Sequence, residues 1–272
     1  MAIVYVMHNV VKDFDSGNLL HRNCIDYETF SKWLRERPNQ FKSLSSAFQD
    51  NAGDCLTIDD ATVGGYEAAL LCASNQHYVT IFINPYYIVN NKPYWTHYLT
   101  LFVDQIRDKF FLYKEEWFDV SREVRRKKLR KSIKMDLCQI QDEAIRIEML
   151  ESIFKRKVND AVLPYQLRTM SEQQMDELAG NEYVSIEYHG WTHNDFSSMT
   201  VERVAQELEM GRSWFMQRLN KEIRYFALPF GTRQKQIEEI ESIPFILLDD
   251  RTYQDNYGTE KMHNRIPLVV DS

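Results

Sequence analysis

The chain has 272 residues, 44% of them hydrophobic and 27% charged, and a formal net charge of −7. That is an ordinary globular composition, and a chain this long buries about three quarters of its unfolded surface without a staple. The acidic balance argues against nucleic acid as the main partner.

Cys24, Cys55, Cys72 and Cys138 form no close pair, so neither a zinc knuckle nor a disulfide framework is expected. Reduced thiols and a cytoplasmic location are the simpler expectation. The opening MAIVYVMHNVVKDF is apolar but has neither a basic leader nor a small-residue cleavage site, and reads as a strand. No apolar run approaches the ~20 residues of a transmembrane helix.

Short apolar runs then alternate with helical stretches, the pattern of βα units around a parallel sheet. Ala2–Met7 is the first predicted strand. Asp26 is placed to cap a helix with Phe30, Trp33 and Leu34 on one face, and Pro38 lies just past its end. Residues 55–58 are predicted as a short strand before a helix around 66–73. Residues 78–83 are apolar throughout, as in a strand covered on both faces. Another strand is predicted at 183–188. Thr200 then caps a long helix carrying Val201, Val204, Leu208, Phe215 and Leu219. Strands at 225–228 and 244–248 complete the set.

From about residue 104 to 175 strands are predicted to vanish and the text turns helical and charged. Residues 122–134 hold eight basic side chains against one acidic. Leu137, Ile140, Ile145, Ile147, Leu150, Ile153 and Phe154 follow in a helix-like rhythm. The segment is expected to be a helical insertion within one domain spanning 1–272. It is either a solvated hairpin or a basic lip that attracts an anionic glycan or a lipid-linked substrate.

Polar groups collect just after several predicted strands, where parallel α/β folds put their active sites. Asp59 and Asp60 follow the second strand, His189-Gly190-Trp191-Thr192-His193 the strand at 183–188, Pro229-Phe230-Gly231 the next, and Asp249-Asp250 the last. Two histidines four residues apart suit one metal ion. With a strand-end carboxylate they make a two-histidine, one-carboxylate site with open positions, able to lower the pKa of a water towards about 7 and to polarise a carbonyl. Adjacent aspartates repel unless a cation neutralises one, so one ligand and one base is the economical division.

Thr57-Ile58-Asp59-Asp60 resembles the first motif of the polysaccharide deacetylases, carbohydrate esterase family four, of NodB type. The segment from His189 to His193 is similar to their second motif, and Phe226-Ala227-Leu228-Pro229-Phe230-Gly231 to their third. The resemblance covers about residues 1–100 and 180–272 and leaves the charged insertion unmatched. It implies a distorted (β/α) barrel and removal of an N-acetyl group from an amino sugar of a polysaccharide or its biosynthetic intermediate. Asp60, His189 and His193 would hold a divalent metal, zinc before Fe, Co, Ni or Mn. Asp59 would be the general base. The backbone N–H near Phe230 would help to bind the oxyanion, an electrostatic contribution of a few kcal/mol. Trp191 lies between the implied ligands and is a candidate sugar contact.

The departures are specific. Ala227 stands where the third motif usually has an arginine that orients the base, so Arg224, Arg233, Arg251 and Arg265 are candidates to replace it. Ala61 replaces a glycine and Phe230 a tyrosine. The closing histidine, the usual general acid, has His263 as its nearest candidate by position and His8 as a second. His77 and His97 read as ordinary structural or surface histidines. Three function classes are therefore open: an amino-sugar deacetylase of surface-glycan synthesis, such as lipopolysaccharide O-antigen, a catalytically weak relative that binds metal and carbohydrate, and an iron oxygenase on a double-sheet jelly roll.

Overall fold

The structure is a computed structural model that describes residues 2–231, 244–249 and 262–270. In chain order β1 (Ala2–Met7) precedes the short β2 (Asn9–Val11) and β3 (Cys24–Asp26), which pair parallel with each other. Then come α1 (Tyr27–Glu36), α2 (Leu44–Asp50), β4 (Gly53–Asp59), α3 (Val63–Ser74), β5 (Val79–Ile83), α4 (Pro85–Asn90) and α5 (Trp95–Asp104). A hairpin of β6 (Phe110–Tyr113) and β7 (Glu116–Asp119) leads to α6 (Glu123–Leu137), α7 (Glu143–Phe154) and α8 (Glu172–Ala179). β8 (Val184–Tyr188), α9 (Val201–Leu219), β9 (Tyr225–Ala227), β10 (Phe245–Leu248), β11 (Met262–Asn264) and β12 (Ile266–Pro267) follow.

Helix starts obey their capping residues. Asp26, Thr62 and Thr200 each accept a backbone N–H three residues on, from Thr29, Gly65 and Arg203.

Eight parallel strands form one sheet in the order β11-β10-β9-β8-β5-β4-β1-β12. Its two edge strands are separated in sequence only by Arg265. The stretch 262–267 therefore pairs with β10 through its first half and with β1 through its second, and bridges the open edges into a distorted (β/α) barrel. This is not the double-sheet jelly roll that the iron-oxygenase alternative needs.

Strand alternation divides the side chains in two. Leu56, Ile58, Ile81, Ile186, Phe226 and Ile246 face outward onto Phe30, Leu34, Ala68, Met175, Leu208 and Phe215 of the surrounding helices. Val4, Cys55, Phe82, Tyr225, Ala227 and Leu247 face inward, where Leu44 and Ala47 of α2 join them. α2 is thus a plug at the amino ends of the strands. Farther along the same inward face the residues become polar: Thr57, Asp59, His189 and Asp249.

Two expectations for the insertion need correction. Strands do not vanish there, because β6 and β7 make an antiparallel hairpin whose turn residues Lys114 and Glu115 both have positive φ. That geometry suits a two-residue hairpin but lacks the Asn-Gly signal that would reveal it. The apolar rhythm from Leu137 to Phe154 runs across the turn between α6 and α7. The second helix starts after Asp142, whose carboxylate caps it by accepting the Ala144 and Ile145 N–H groups, and Ile145 is left 54% exposed. The insertion is not wholly solvated either, since Leu129, Ile133, Leu137 and Leu150 pack against Trp95, Leu99 and Phe102 of α5 in a second core. Its expected end falls inside α8, which packs Met175 and Leu178 on the barrel. Among the described residues no helix is long and apolar enough to cross a membrane.

Gly211 shows how closely α9 lies on the sheet. A Cβ there would sit 2.4 Å from Cζ of Tyr188, a fully buried ring tied down by its hydroxyl donating to Glu207 O at 2.7 Å. Alanine gains about 1 kcal/mol of helix propensity, but overpacking costs about 1–3 kcal/mol. Gly211→Ala is expected to lose up to about 2 kcal/mol in urea unfolding; a gain of stability would show that the contact is not what requires glycine.

Candidate active site

The end of β4 turns sharply at Asp60, whose φ is +70°, and the loop after β8 turns at His193, with φ +51°. Such left-handed backbone costs on the order of 1–3 kcal/mol per residue and collects at functional sites. The turns bring Asp60 Oδ1 to 3.8 Å from His189 Nε2 and 3.5 Å from His193 Nε2. Ligands about 2.0–2.1 Å from one ion stand roughly 3.4 Å apart in a tetrahedron, so the three atoms suit a divalent metal. All three residues are buried, and one ligand atom from each lies within 4.8 Å of the others. Asp60 Oδ1 is buried with no hydrogen-bond partner, a state that a metal ion relieves. Burial holds the His193 imidazole well below its usual pKa, with His189 and Lys134 adding to the effect, so it offers a neutral lone pair. His189 Nδ1 donates to Ala227 O at 2.7 Å, which aims Nε2 at the cluster.

Asp59 points into the barrel and meets Arg265. Nη1 and Nη2 of that guanidinium bind the two carboxylate oxygens at 2.6 Å each, Nε binds Asp249 Oδ1 at 2.8 Å, and Nη1 also reaches Thr57 Oγ1 at 3.2 Å. Of the two candidates among the described residues, Arg224 and Arg265, Arg265 is the one that reaches Asp59. Burial alone would raise the Asp59 pKa, but Arg265, and behind it His189, hold it down at about 2.

Two residues not anticipated from the sequence join the motif loops. Asn84, at the end of β5, donates through Nδ2 to the carbonyls of His189 and Gly190. Its Oδ1 accepts from the Tyr94 hydroxyl at 2.8 Å, which in turn accepts the Ala61 N–H at 2.7 Å. Asn84 was detectable by the rule that revealed the others, a polar residue directly after a strand. Tyr94 carries no such signal. The far side of the histidine loop is held by the insertion. The fully buried Arg146 of α7 bonds Glu143 at 2.6 Å and also Asn194, and Asn194 donates to Glu207 Oε1 at 3.2 Å.

The metal cluster lies in a cleft of about 290 Å³ that His8, His97, Arg22, Arg130, Lys134 and Phe230 also line. Phe230, with φ +64°, packs its ring edge-to-face on His193 at 4.8 Å, and among the described residues its N–H has no acceptor. Three expectations fail here. His263 shares the inward face with Arg265 but lies two residues earlier along the strand, at the level of the plug, where it stacks on Phe48 at 4.2 Å. Trp191 does not line the cleft; its backbone N–H serves instead to bind Glu207 at 3.0 Å. His97 is no bystander: Leu167 O lies 3.0 Å from its Nδ1, and its ring lines the cleft. Arg233, Arg251 and Asp250 lie outside the described residues.

The family model of the polysaccharide deacetylases matches residues 130–243. That stretch contains both histidines and Phe230, and it begins inside the insertion, where no resemblance was expected. Among solved structures, the Streptococcus pyogenes deacetylase PplD in complex with acetate aligns over 99% of this chain and 93% of its own, at TM-score 0.61 and 12% identity. IcaB from Ammonifex degensii aligns over 98% and 91%, at 0.56 and 12%. A de-N-acetylase from Aggregatibacter actinomycetemcomitans aligns over 100% and 96%, at 0.57 and 10%. At such identities the likeness is one of fold. Comparison with curated proteins gives no match. The family match covers less than half of the chain, and together with the barrel it agrees with the resemblance that the motifs carry.

Removing Arg265 leaves Asp59 buried without its cation. Breaking a buried pair from one side costs about 3–5 kcal/mol, so Arg265→Met should lose that much in urea unfolding at neutral pH. Asp59→Asn with Arg265→Met should recover part of it, a positive coupling in the double-mutant cycle. Because the folded Asp59 pKa is depressed from an ordinary 3.8 to about 2, its contribution is fully present above about pH 4 and lost as pH falls towards 2. Metal-free wild type should therefore lose more stability over that interval than Asp59→Asn; parallel curves would show that the pair is not the source.

Proposed function

We propose that the chain hydrolyses the N-acetyl group of an amino sugar with a divalent metal held by Asp60, His189 and His193. The observation that carries this reading is the retention of a second carboxylate, Asp59, aimed beside the ligand set by a bidentate arginine. Zinc suits two imidazoles and one carboxylate, and Fe, Co, Ni or Mn fit the same donors. When bound, the ion supplies Lewis-acid polarisation of the acetyl carbonyl and of water.

Asp59 takes the proton of the attacking water, whose oxygen bonds to the acetyl carbon. The Phe230 N–H donates to the oxyanion that develops. The C–N bond then breaks, the nitrogen receives a proton, and acetate and a free amino sugar leave. His263 is too far down the barrel to serve as the acid. His8 and His97 are the two imidazoles of the cleft outside the ligand set, and one of them supplies that proton. The four cysteines are buried and free, which accords with a reducing compartment and so with assembly of a surface glycan such as O-antigen.

Asp59→Asn should keep about one metal ion per chain by elemental analysis yet lose acetate release, whereas Asp60→Asn and His189→Ala with His193→Ala should lose both. Full metal retention by the double histidine variant, or equal metal loss in the two aspartate variants, would end this assignment. The general acid must be protonated, so replacing the right histidine, His8 or His97, should abolish the alkaline limb of the kcat/KM profile. An unchanged profile in both variants would exclude them.

A further inference from the structure

We infer that the glycan carries an anionic substituent on or next to the reacting sugar, and that Arg130 and Lys134 of α6 form its binding site. This rests on the hydrolase reading and extends it to the class of substrate.

The basic side chains of α6 divide by face. Four of those outside the cleft are paired: Arg125 with Asp119, Arg126 with Asp104 at 3.2 Å, Lys127 with Glu123 at 3.6 Å and Lys128 with Glu116 at 3.7 Å, and Lys131 is exposed to solvent. Arg130 and Lys134 are turned into the cleft instead. Among the described residues no carboxylate lies within ion-pair distance of either. Arg130 donates only to the Thr100 hydroxyl, at 3.3 Å, and the Lys134 ammonium sits over the Phe230 ring, 4.1 Å from its centre.

One turn apart on one face, the two cations repel each other, and Arg22 crowds Arg130 further. Burial lowers the pKa of both. Half-buried like charges without a counter-ion are an electrostatic cost that the ligand-free fold carries. Nearby carboxylates offset it only in part, since Asp195 and Asp60 attract Lys134 without coming within ion-pair distance. Asp59 and Asp249 are bound to Arg265, and Asp60 belongs to the metal set. The remaining complement is an anion on the ligand.

Its position is also defined. The Phe230 ring contacts both His193 and the Lys134 ammonium, and all three line one cleft, so a group bound by Lys134 stands close to a proposed metal ligand. A cleft of about 290 Å³ is at the small end for ligand sites and places the anion on the reacting residue or its neighbour. A guanidinium fork, an ammonium and a hydroxyl together bind phosphate or carboxylate.

Isothermal titration of the metal-loaded full chain decides the matter with three probes: N-acetylglucosamine, N-acetylglucosamine 6-phosphate and N-acetylmuramic acid. One anionic probe or both should bind at least about tenfold tighter than the neutral sugar. The advantage should shrink with added salt, and the tighter arm names the substituent as phosphate or carboxylate. Arg130→Gln with Lys134→Gln should erase the advantage while the neutral sugar still binds and the melting temperature does not fall; Lys134→Arg should keep most of the advantage. No advantage for either anion, including no binding by either, overturns the inference, as does an advantage that survives the double variant. Because the readout is binding, selectivity without acetate release would remove the hydrolase reading and leave this one standing. Acetate release with no anion preference would do the reverse.

Discussion

The ion pair between Asp59 and Arg265 is the contact around which the barrel and its chemistry are organised. A carboxylate 1% exposed inside a barrel is tolerable only with a cation bound in good geometry and the remaining polar atoms satisfied. Arg265 meets both conditions, with two bonds to Asp59, one to Asp249 and one to Thr57. It is also the residue at which the closing stretch changes partners, from β10 to β1. Closure of the sheet and orientation of the Asp59 carboxylate are therefore one event. Asp249 carries the coupling onward, since its N–H bonds Gly231 O at 2.9 Å, and a Cβ on Gly231 would sit 2.6 Å from Asp249 Cβ. The turn that presents Phe230 to the cleft is thus packed directly on the arginine's second partner.

The insertion belongs to the same assembly. Its α7 sends Arg146 under the histidine loop, and its α6 lays Lys134 over Phe230. A segment whose outer face is a laced set of surface ion pairs, each contributing about 0–1 kcal/mol, thus has an inner face that supports the histidine loop and lines the cleft. The net charge of −7 describes the whole chain and conceals a cleft wall of the opposite sign.

Much of the site was legible because it follows a local rule. Side chains directly after parallel strands gather at one end of the sheet whatever the details of packing, so Asp59, Asp60, His189, His193 and Phe230 could be named from order and spacing. His263 shows the limit of that rule. Strand alternation gave it the correct face, but its height along the barrel depends on register, and two residues of offset are enough to move it from the catalytic end to the plug. Trp191 was drawn in by its place between two ligands, yet neighbours in a tight loop need not point the same way. The hairpin at Lys114 and Glu115 escaped because positive φ at such residues leaves no trace in hydrophobic periodicity.

What the sequence by itself determined is the set of groups and their common end: two adjacent carboxylates, two imidazoles four residues apart, and βα alternation that delivers them to the carboxyl edge of a sheet. Those are short-range properties, fixed by capping residues such as Asp26 and Thr200 and by period-two strands. Only the tertiary structure decided which arginine replaces the one missing at Ala227, which histidines reach the cleft, and which face of α6 looks inward. Those choices depend on contacts between residues as distant as Asp59 and Arg265. Sequence spacing carries no information about them, because closing the barrel is what makes them neighbours.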